Sequence, residues 1–142
     1  MSESNSAPVG IPVRKKLSHM RVFNVTRQAE LARRAEIAGS GAKRTKGLLG
    51  RRGLAVGEGM WIVPCEAIHT FGMQFAIDLV YIDKNHCVKK VRSNVPPWRI
   101  SACLSAHSVL ELPSGIVSDT KTQEGDILEL SEPAQECESP TT

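Results

Sequence analysis

Most of the chain is a succession of short apolar runs, each bounded by residues that favour turns. Val, Ile, Leu and other strand-forming residues dominate the runs, while Gly, Pro, Asp and Asn stand between them. The pattern predicts strands over residues 20–25, 60–63, 77–82, 87–91, 108–112 and 127–130. So many short strands predict a mostly β fold, a compact β-sandwich or partly closed barrel with one or two short helices.

Two segments are harder to assign from the pattern alone. Residues 28–38 are rich in Ala, Leu, Glu and Arg, which favours a helix, but Leu31, Ala35 and Ile37 also fit the period of a strand. Residues 40–54 predict a short helix that Ser40 caps and that Gly50 or Gly53 ends.

The two ends of the chain differ from the middle in composition. Residues 1–18 are rich in Ser, Pro and Lys and lack hydrophobic periodicity, and residues 131–142 form an acidic stretch that contains Cys137. Such segments bury too little apolar surface to fold. We therefore predict a disordered arm, a single folded domain over residues 19–130 and a disordered acidic tail.

Charge is unevenly distributed along the sequence. Residues 1–52 carry 12 Lys or Arg side chains against 3 Asp or Glu, a balance of +9, while residues 53–142 carry 6 against 12, a balance of −6. The basic stretch 14–52 raises the hypothesis of nucleic-acid binding. Aromatic residues make up only 4% of the chain, so the stacking side chains that single strands need are scarce, and a nucleic-acid partner is not expected.

The cysteines and histidines give little support to a metal site. Cysteines stand at 65, 87, 103 and 137 without a CxxC spacing. Cys65, Glu66 and His69 are all potential ligands, but on a strand Cys65 and His69 would lie about 13 Å apart. Pro64 argues against a helix that would bring them together. No metal and no cofactor are predicted, and no activated cysteine nucleophile is indicated.

Long apolar segments are missing from the sequence. The first residues contain no apolar run of signal-peptide length, and no stretch approaches the roughly 18 apolar residues of a membrane span. The sequence therefore predicts a cytoplasmic protein without a membrane span, and it indicates no particular oligomeric state.

An ordered set of short motifs runs through the predicted domain. It comprises Gly47-Leu48-Leu49-Gly50-Arg51, Gly59-Met60, Ile68-His69-Thr70-Phe71-Gly72-Met73, Ile77-Asp78, Leu110-Glu111 and Gly125-Asp126. In order and spacing the set resembles the bacterial-type family called domain of unknown function 192 (DUF192), over roughly residues 21–130.

The resemblance implies a small β-sandwich domain, and no activity is established for the family. It also implies a strand rather than a helix over residues 31–38. Leu49 stands where many relatives have Met, and many relatives carry an export signal that this sequence lacks.

One neighbourhood combines polar and apolar chemistry. Asp78 interrupts an apolar strand, where a carboxylate needs either solvent or a partner. His69 and Thr70 precede it, and Met73 could supply an apolar wall. Arg51 matches the family motif and could pair with Asp78 or Glu111. We therefore predict a ligand-binding site formed by His69, Thr70, Met73, Asp78 and Arg51, with a purely structural role for Asp78 as the alternative.

Three functions remain open from sequence alone. The first is a non-catalytic accessory domain that binds a small polar ligand or a peptide in a groove near His69 and Asp78. The second is a hydrolase in which Asp78 orients His69 as a general base. The third is a nucleic-acid-binding accessory that uses residues 14–52.

Overall fold

The computed structural model describes residues 17–135. They form nine strands and two short helices: β1 (His19–Asn24), β2 (Ala29–Ala38), α1 (Gly41–Lys46), β3 (Glu58–Ile62), β4 (Ala67–His69), β5 (Ile77–Ile82), β6 (Val88–Val95), β7 (Ile100–Ala102), β8 (Ser108–Pro113), α2 (Ile116–Thr120) and β9 (Leu128–Ser131).

Seven of the strands make one large sheet in the order β6-β5-β8-β3-β2-β1-β9. All neighbouring pairs are antiparallel except β2 and β3, which run parallel. The sheet curls so that its edge strands, β6 and β9, approach each other. The amide of Val88 donates to the carbonyl of Asp126 at 2.8 Å, and the amide of Leu128 donates to the carbonyl of His86 at 2.9 Å. The result is a half-barrel, and β4 and β7 form a separate two-stranded sheet.

The central strands β5 and β8 are buried on both faces. Because side chains alternate along a strand, one set points into the half-barrel and the other points away from it. Val80, Ile82, Leu110 and Leu112 belong to the inner core, with α2. The outer core contains ten buried apolar residues: Ala38, Leu48, Met60, Ile62, Met73, Ile77, Leu79, Tyr81, Val95 and Val109.

The predicted fold class is confirmed. Each predicted strand is present within a few residues, and residues 29–38 form a strand despite their helical propensity. That strand lies between β1 and β3, where Leu31, Ala32 and Ala35 are buried in the inner core. Packing in the middle of a sheet outweighs a weak local preference.

The predicted helix is present but shorter than expected. The side chain of Ser40 accepts a hydrogen bond from the amide of Lys43 at 3.2 Å, as predicted for its cap. The helix ends at Lys46, and its C-cap is Gly47 rather than Gly50 or Gly53. Gly47 adopts a positive φ of 48°, which a side chain would disfavour. Three short elements, β4, β7 and α2, were not predicted.

The predicted arm and tail lie mostly outside the described residues, as does Cys137. Ser131, at the start of the predicted tail, is the last residue of β9. Among residues 17–135 no helix has the length and apolar character needed to cross a membrane.

Candidate functional site

A pocket of about 310 Å³ lies on the outer side of the large sheet. The helix α1 and the segment after it form one wall, and β4 with its flanking residues forms another. Apolar side chains line much of the pocket, with basic ones on the α1 side: Leu48, Leu49, Ile62, Ile68 and Met73, and Arg44 and Lys46. Glu111 of β8 is the acidic residue of this lining.

Glu111 is an unusual residue for such a position. It lies between Met60 of β3 and Leu79 of β5, which are its cross-strand neighbours, and only 3% of its surface is exposed. Its Oε2 atom has no hydrogen-bond partner among the described residues. Burial raises the pKa of Glu111 to about 7, although the positive charge of Arg51 opposes the shift.

Arg51 does not neutralise Glu111 directly. Its Nη2 donates to Oε2 of Glu36 on β2 at 2.5 Å, and this hydrogen bond lowers the pKa of Glu36. The ion-pair partner of Arg51 is therefore Glu36, and the expected pairing with Asp78 or Glu111 is wrong. Among the described residues, no cation is bonded to the Glu111 carboxyl.

Two of the predicted site residues, His69 and Met73, line the pocket together with Glu111. His69 ends β4, and its Nδ1 accepts a hydrogen bond from the amide of Phe71 at 3.3 Å. The same ring lies 5.1 Å from that of Phe71, which stacks in turn on Trp98 at 5.8 Å. The imidazole therefore packs at the side of the pocket against Phe71, which itself packs against Trp98.

Cys65 also lines the pocket but has a weakly reactive thiol. Its Sγ donates to the carbonyl of Ala67 at 3.1 Å, and burial raises the pKa of the thiol. A raised pKa lowers the thiolate fraction, which is the reactive form. Within residues 17–135 no three His, Cys, Asp or Glu side chains are grouped as metal ligands.

Thr70 is placed differently from its neighbour His69. It is fully buried, its hydroxyl donates to the carbonyl of Pro96 at 2.8 Å, and it accepts from the amide of Arg99 at 2.9 Å. These bonds tie the end of β4 to the loop before β7. The side chain shapes the wall of the site from behind rather than lining the pocket.

Asp78 lies on the other face of the sheet. It is paired with Leu112 of the inner core, whereas Glu111 faces the pocket. Its Oδ1 accepts from the amide of Asn94 at 2.7 Å, and its Oδ2 accepts from the amides of Gly115 and Val117 at 3.1 and 2.8 Å. The carboxylate therefore joins β5 to β6 and to the start of α2, which is the structural alternative weighed above.

The residue that sequence reasoning left out of the site is Glu111. The signal was present, because Glu111 interrupts the apolar run of residues 108–113 just as Asp78 interrupts that of β5. Which of the two carboxylates has backbone partners depends on the facing strands and on α2, and these contacts are long-range.

Comparison with known families agrees with this architecture. The family model of DUF192, described as an uncharacterized ACR, matches residues 23–130. The chain belongs to the DUF192 family. No curated protein matches the sequence.

Two solved structures share the fold. One is a protein from Sinorhizobium meliloti 1021 described as a "putative transcription regulator", with a TM-score of 0.69 and 24% identity over 79% of this chain and 92% of that chain. The other is a protein of unknown function from Novosphingobium aromaticivorans DSM 12444, with a TM-score of 0.66 and 22% identity over 78% and 83%. At these identities the likeness shows the fold alone.

Most of the motifs that carry the DUF192 resemblance lie at the pocket or next to it. Residues of the segments 47–51, 68–73 and 110–111 line it, and Met60 of the Gly-Met pair is the cross-strand neighbour of Glu111. Leu49 is part of the wall. The remaining motif aspartates, Asp78 and Asp126, bind backbone and side-chain groups elsewhere.

Proposed function

We propose that this DUF192 protein is a non-catalytic domain that binds a small polar ligand in the pocket between α1 and β4. The observation that carries the proposal is the Glu111 side chain, which lines the pocket and whose buried Oε2 has no hydrogen-bond partner among the described residues. Burying an unpaired polar group is costly, and a bound ligand would supply the missing partner.

The surroundings of Glu111 support binding of a polar molecule with an apolar part. Met73, Leu49 and Ile68 provide apolar contacts, and His69 adds a polar group at the side. A few polar groups set among apolar walls are typical of pockets that orient a small ligand.

The geometry favours binding over the hydrolase hypothesis. In the hydrolase hypothesis Asp78 orients His69, which requires the two side chains to lie within hydrogen-bond reach of each other. Asp78 was the proposed partner of His69, but its oxygens accept from three backbone amides on the other face of the sheet. Nδ1 of His69 accepts from the amide of Phe71 instead.

Ion pairing by arginines of the basic stretch 14–52 also favours ligand binding in the pocket over nucleic-acid binding. Arg21, Arg27 and Arg51 form ion pairs with Glu30, Asp126 and Glu36, respectively. Their charges are partly balanced within the domain, which weakens the field available to attract a phosphate backbone.

A thermal-shift screen of small polar compounds and short peptides tests the proposal. A compound that binds the pocket should stabilise the wild type, and His69→Ala should fold normally but lose most of the stabilisation. His86→Asn is the matched control, since it changes a histidine of the β5–β6 turn and Asn tolerates the positive φ of 63° there. Stabilisation that survives in His69→Ala and Glu111→Gln unchanged would place the ligand elsewhere.

A further inference from the structure

Glu111 is an acidic residue of the pocket that forms no ion pair with the basic side chains of residues 17–135. The Glu111 carboxyl is 3% exposed and is flanked by Met60 and Leu79, so solvent contributes little to its stabilisation. The guanidinium of Arg51 is held by Glu36. A ligand cation is therefore the group that would gain most from contact with the Glu111 carboxyl.

The opposite charge lines another part of the pocket. Arg44 and Lys46 belong to α1, and Arg44 donates one hydrogen bond, from Nη1 to the carbonyl of Gly39 at 3.0 Å. Its other N–H groups and the ammonium of Lys46 are suited to an anionic oxygen. The other lining residues include the apolar side chains of Leu48, Leu49, Ile62, Ile68 and Met73.

We infer that the ligand is a small ω-amino acid, an inference that rests on the proposed function. Its ammonium group binds Glu111, and its carboxylate faces Arg44 and Lys46. An alkyl chain between the two charges would lie against apolar residues such as Leu49, Ile68 and Met73. A free amine without the acid would bind less well, because the cations of α1 repel it. A hydroxyl in place of the ammonium would lose the charge-assisted hydrogen bond.

The pH dependence of binding follows from the groups around the pocket. Besides Glu111, the charged or titratable residues of the pocket lining come from α1, from the segment before β4, and from β4: Arg44, Lys46, Cys65 and His69. Arg51, which follows α1, acts on Glu111 through its positive charge. Burial raises the pKa of Glu111 to about 7, while an alkylamine stays charged up to about pH 10. The complex needs ionised Glu111, so affinity should rise as the pH increases from 5 to 8.

Methyl-detected NMR titrations with matched probes test this inference. The probes are 4-aminobutyrate and 6-aminohexanoate, with 6-hydroxyhexanoate replacing the ammonium and hexylamine lacking the acid. At pH 8 we expect one of the amino acids to shift the methyl resonances of Met73 and Ile68, with affinity at least about tenfold above either comparison compound. Glu111→Gln should lose about tenfold or more in affinity, whereas Glu129→Gln, on exposed β9 surface, should not change it.

The outcomes separate this inference from the proposed function. Equal binding of 6-hydroxyhexanoate, or undiminished amino-acid binding in Glu111→Gln, would overturn the ammonium assignment, and equal binding of hexylamine would overturn the acid assignment. Pocket shifts with other compounds of the screen but with neither amino acid would also overturn it, while leaving the pocket as a binding site. If neither the probes nor any screened compound perturbs the pocket resonances, the proposed function itself is wrong.

Discussion

Two carboxylates interrupt neighbouring apolar strands, and their surroundings give them opposite properties. Asp78 accepts three backbone hydrogen bonds, whereas Oε2 of Glu111 accepts none from the described residues. The fully bonded group stabilises the fold, and the unbonded one makes folding less favourable when it is ionised. A free carboxyl of this kind is available to a ligand.

The cost of ionising Glu111 predicts a pH-dependent stability difference. Its pKa is raised from 4.5 to about 7 by burial, so the folded protein holds this proton more tightly than the unfolded chain. The contribution of Glu111 to the free energy of unfolding is fully present below about pH 4.5. It is lost as the pH rises through about 7, where the folded protein must also ionise the carboxyl. Relative to wild type, Glu111→Gln should therefore gain stability over this range, by up to about 3 kcal/mol at pH 8.

Urea unfolding at pH 4.5 and pH 8 checks this expectation, with Glu129→Gln as a control whose difference from wild type stays constant with pH. A Glu111→Gln variant that is less stable than wild type at pH 8 would show that the carboxylate has a partner within the fold.

The second residue-scale prediction concerns Asp78. Asp78→Asn replaces one acceptor with an NH₂ group facing a backbone donor, and should lower the free energy of unfolding by about 1–3 kcal/mol. Asp119→Asn, on the exposed side of α2, should change it by no more than about 0.5 kcal/mol. Equal effects in chemical denaturation would contradict the structural role of Asp78.

At the level of elements, β3 and β8 approach closely beside Glu111. A Cβ atom at Gly59 would stand 3.0 Å from the carbonyl oxygen of Glu111 and 3.2 Å from Cδ2 of Leu112. This contact gives a physical reason for the glycine of the Gly-Met pair. Gly59 thus allows β8 to hold Glu111 at the pocket.

We expect Gly59→Ala to destabilise the protein by about 1–3 kcal/mol, since neither the backbone oxygen nor the packed leucine can move freely. Gly53→Ala is the matched control, because a Cβ there meets no atom within 4 Å. Thermal unfolding compares the two variants, and a Gly59→Ala protein as stable as the control would mean that the strands separate without cost.

The sequence predicts elements well where the pattern is local and poorly where it is not. Residues 77–82 are continuously strand-forming, and their predicted bounds match β5. The strands β4 and β7 have three residues each and are held by pairing across about thirty positions, as between Ile68 and Ser101. Three residues give no periodicity, so the sequence does not predict these strands or the pocket wall that β4 forms.

The sequence can group candidate site residues only where they are close along the chain. His69 and Met73 belong to one local segment, and both line the pocket. Grouping Asp78 with them required knowing which way its side chain points. That depends on sheet register and on α2, whose amides bind Asp78 across 37 and 39 positions.

For the whole molecule, the single domain over residues 19–130 remains a prediction from composition. The described strands span this range, and β9 extends to Ser131. Limited proteolysis with mass spectrometry should remove the Ser- and Pro-rich ends first and leave a resistant fragment close to these limits. Early cleavage between residues 60 and 112 would contradict a single domain.

The two faces of the half-barrel sheet differ: a closed core packs on one face, and the candidate pocket lies on the other. The curled sheet encloses the inner core together with α2. The outer core, on the other face of the sheet, is covered by the small sheet and the segment after α1. The pocket lies where this outer cover is incomplete, and Glu111 lines it although only 3% of the residue's surface is exposed.

The most direct measurement is the titration of Glu111 itself, followed through its side-chain carboxyl ¹³C resonance by NMR. The account predicts a midpoint near 7 in the free protein, and a fall of that midpoint when an ω-amino acid binds, because a ligand cation stabilises the ionised form. A midpoint at or below 4.5 in the free protein would show that the carboxylate is already solvated or paired, and would contradict the central role given to it.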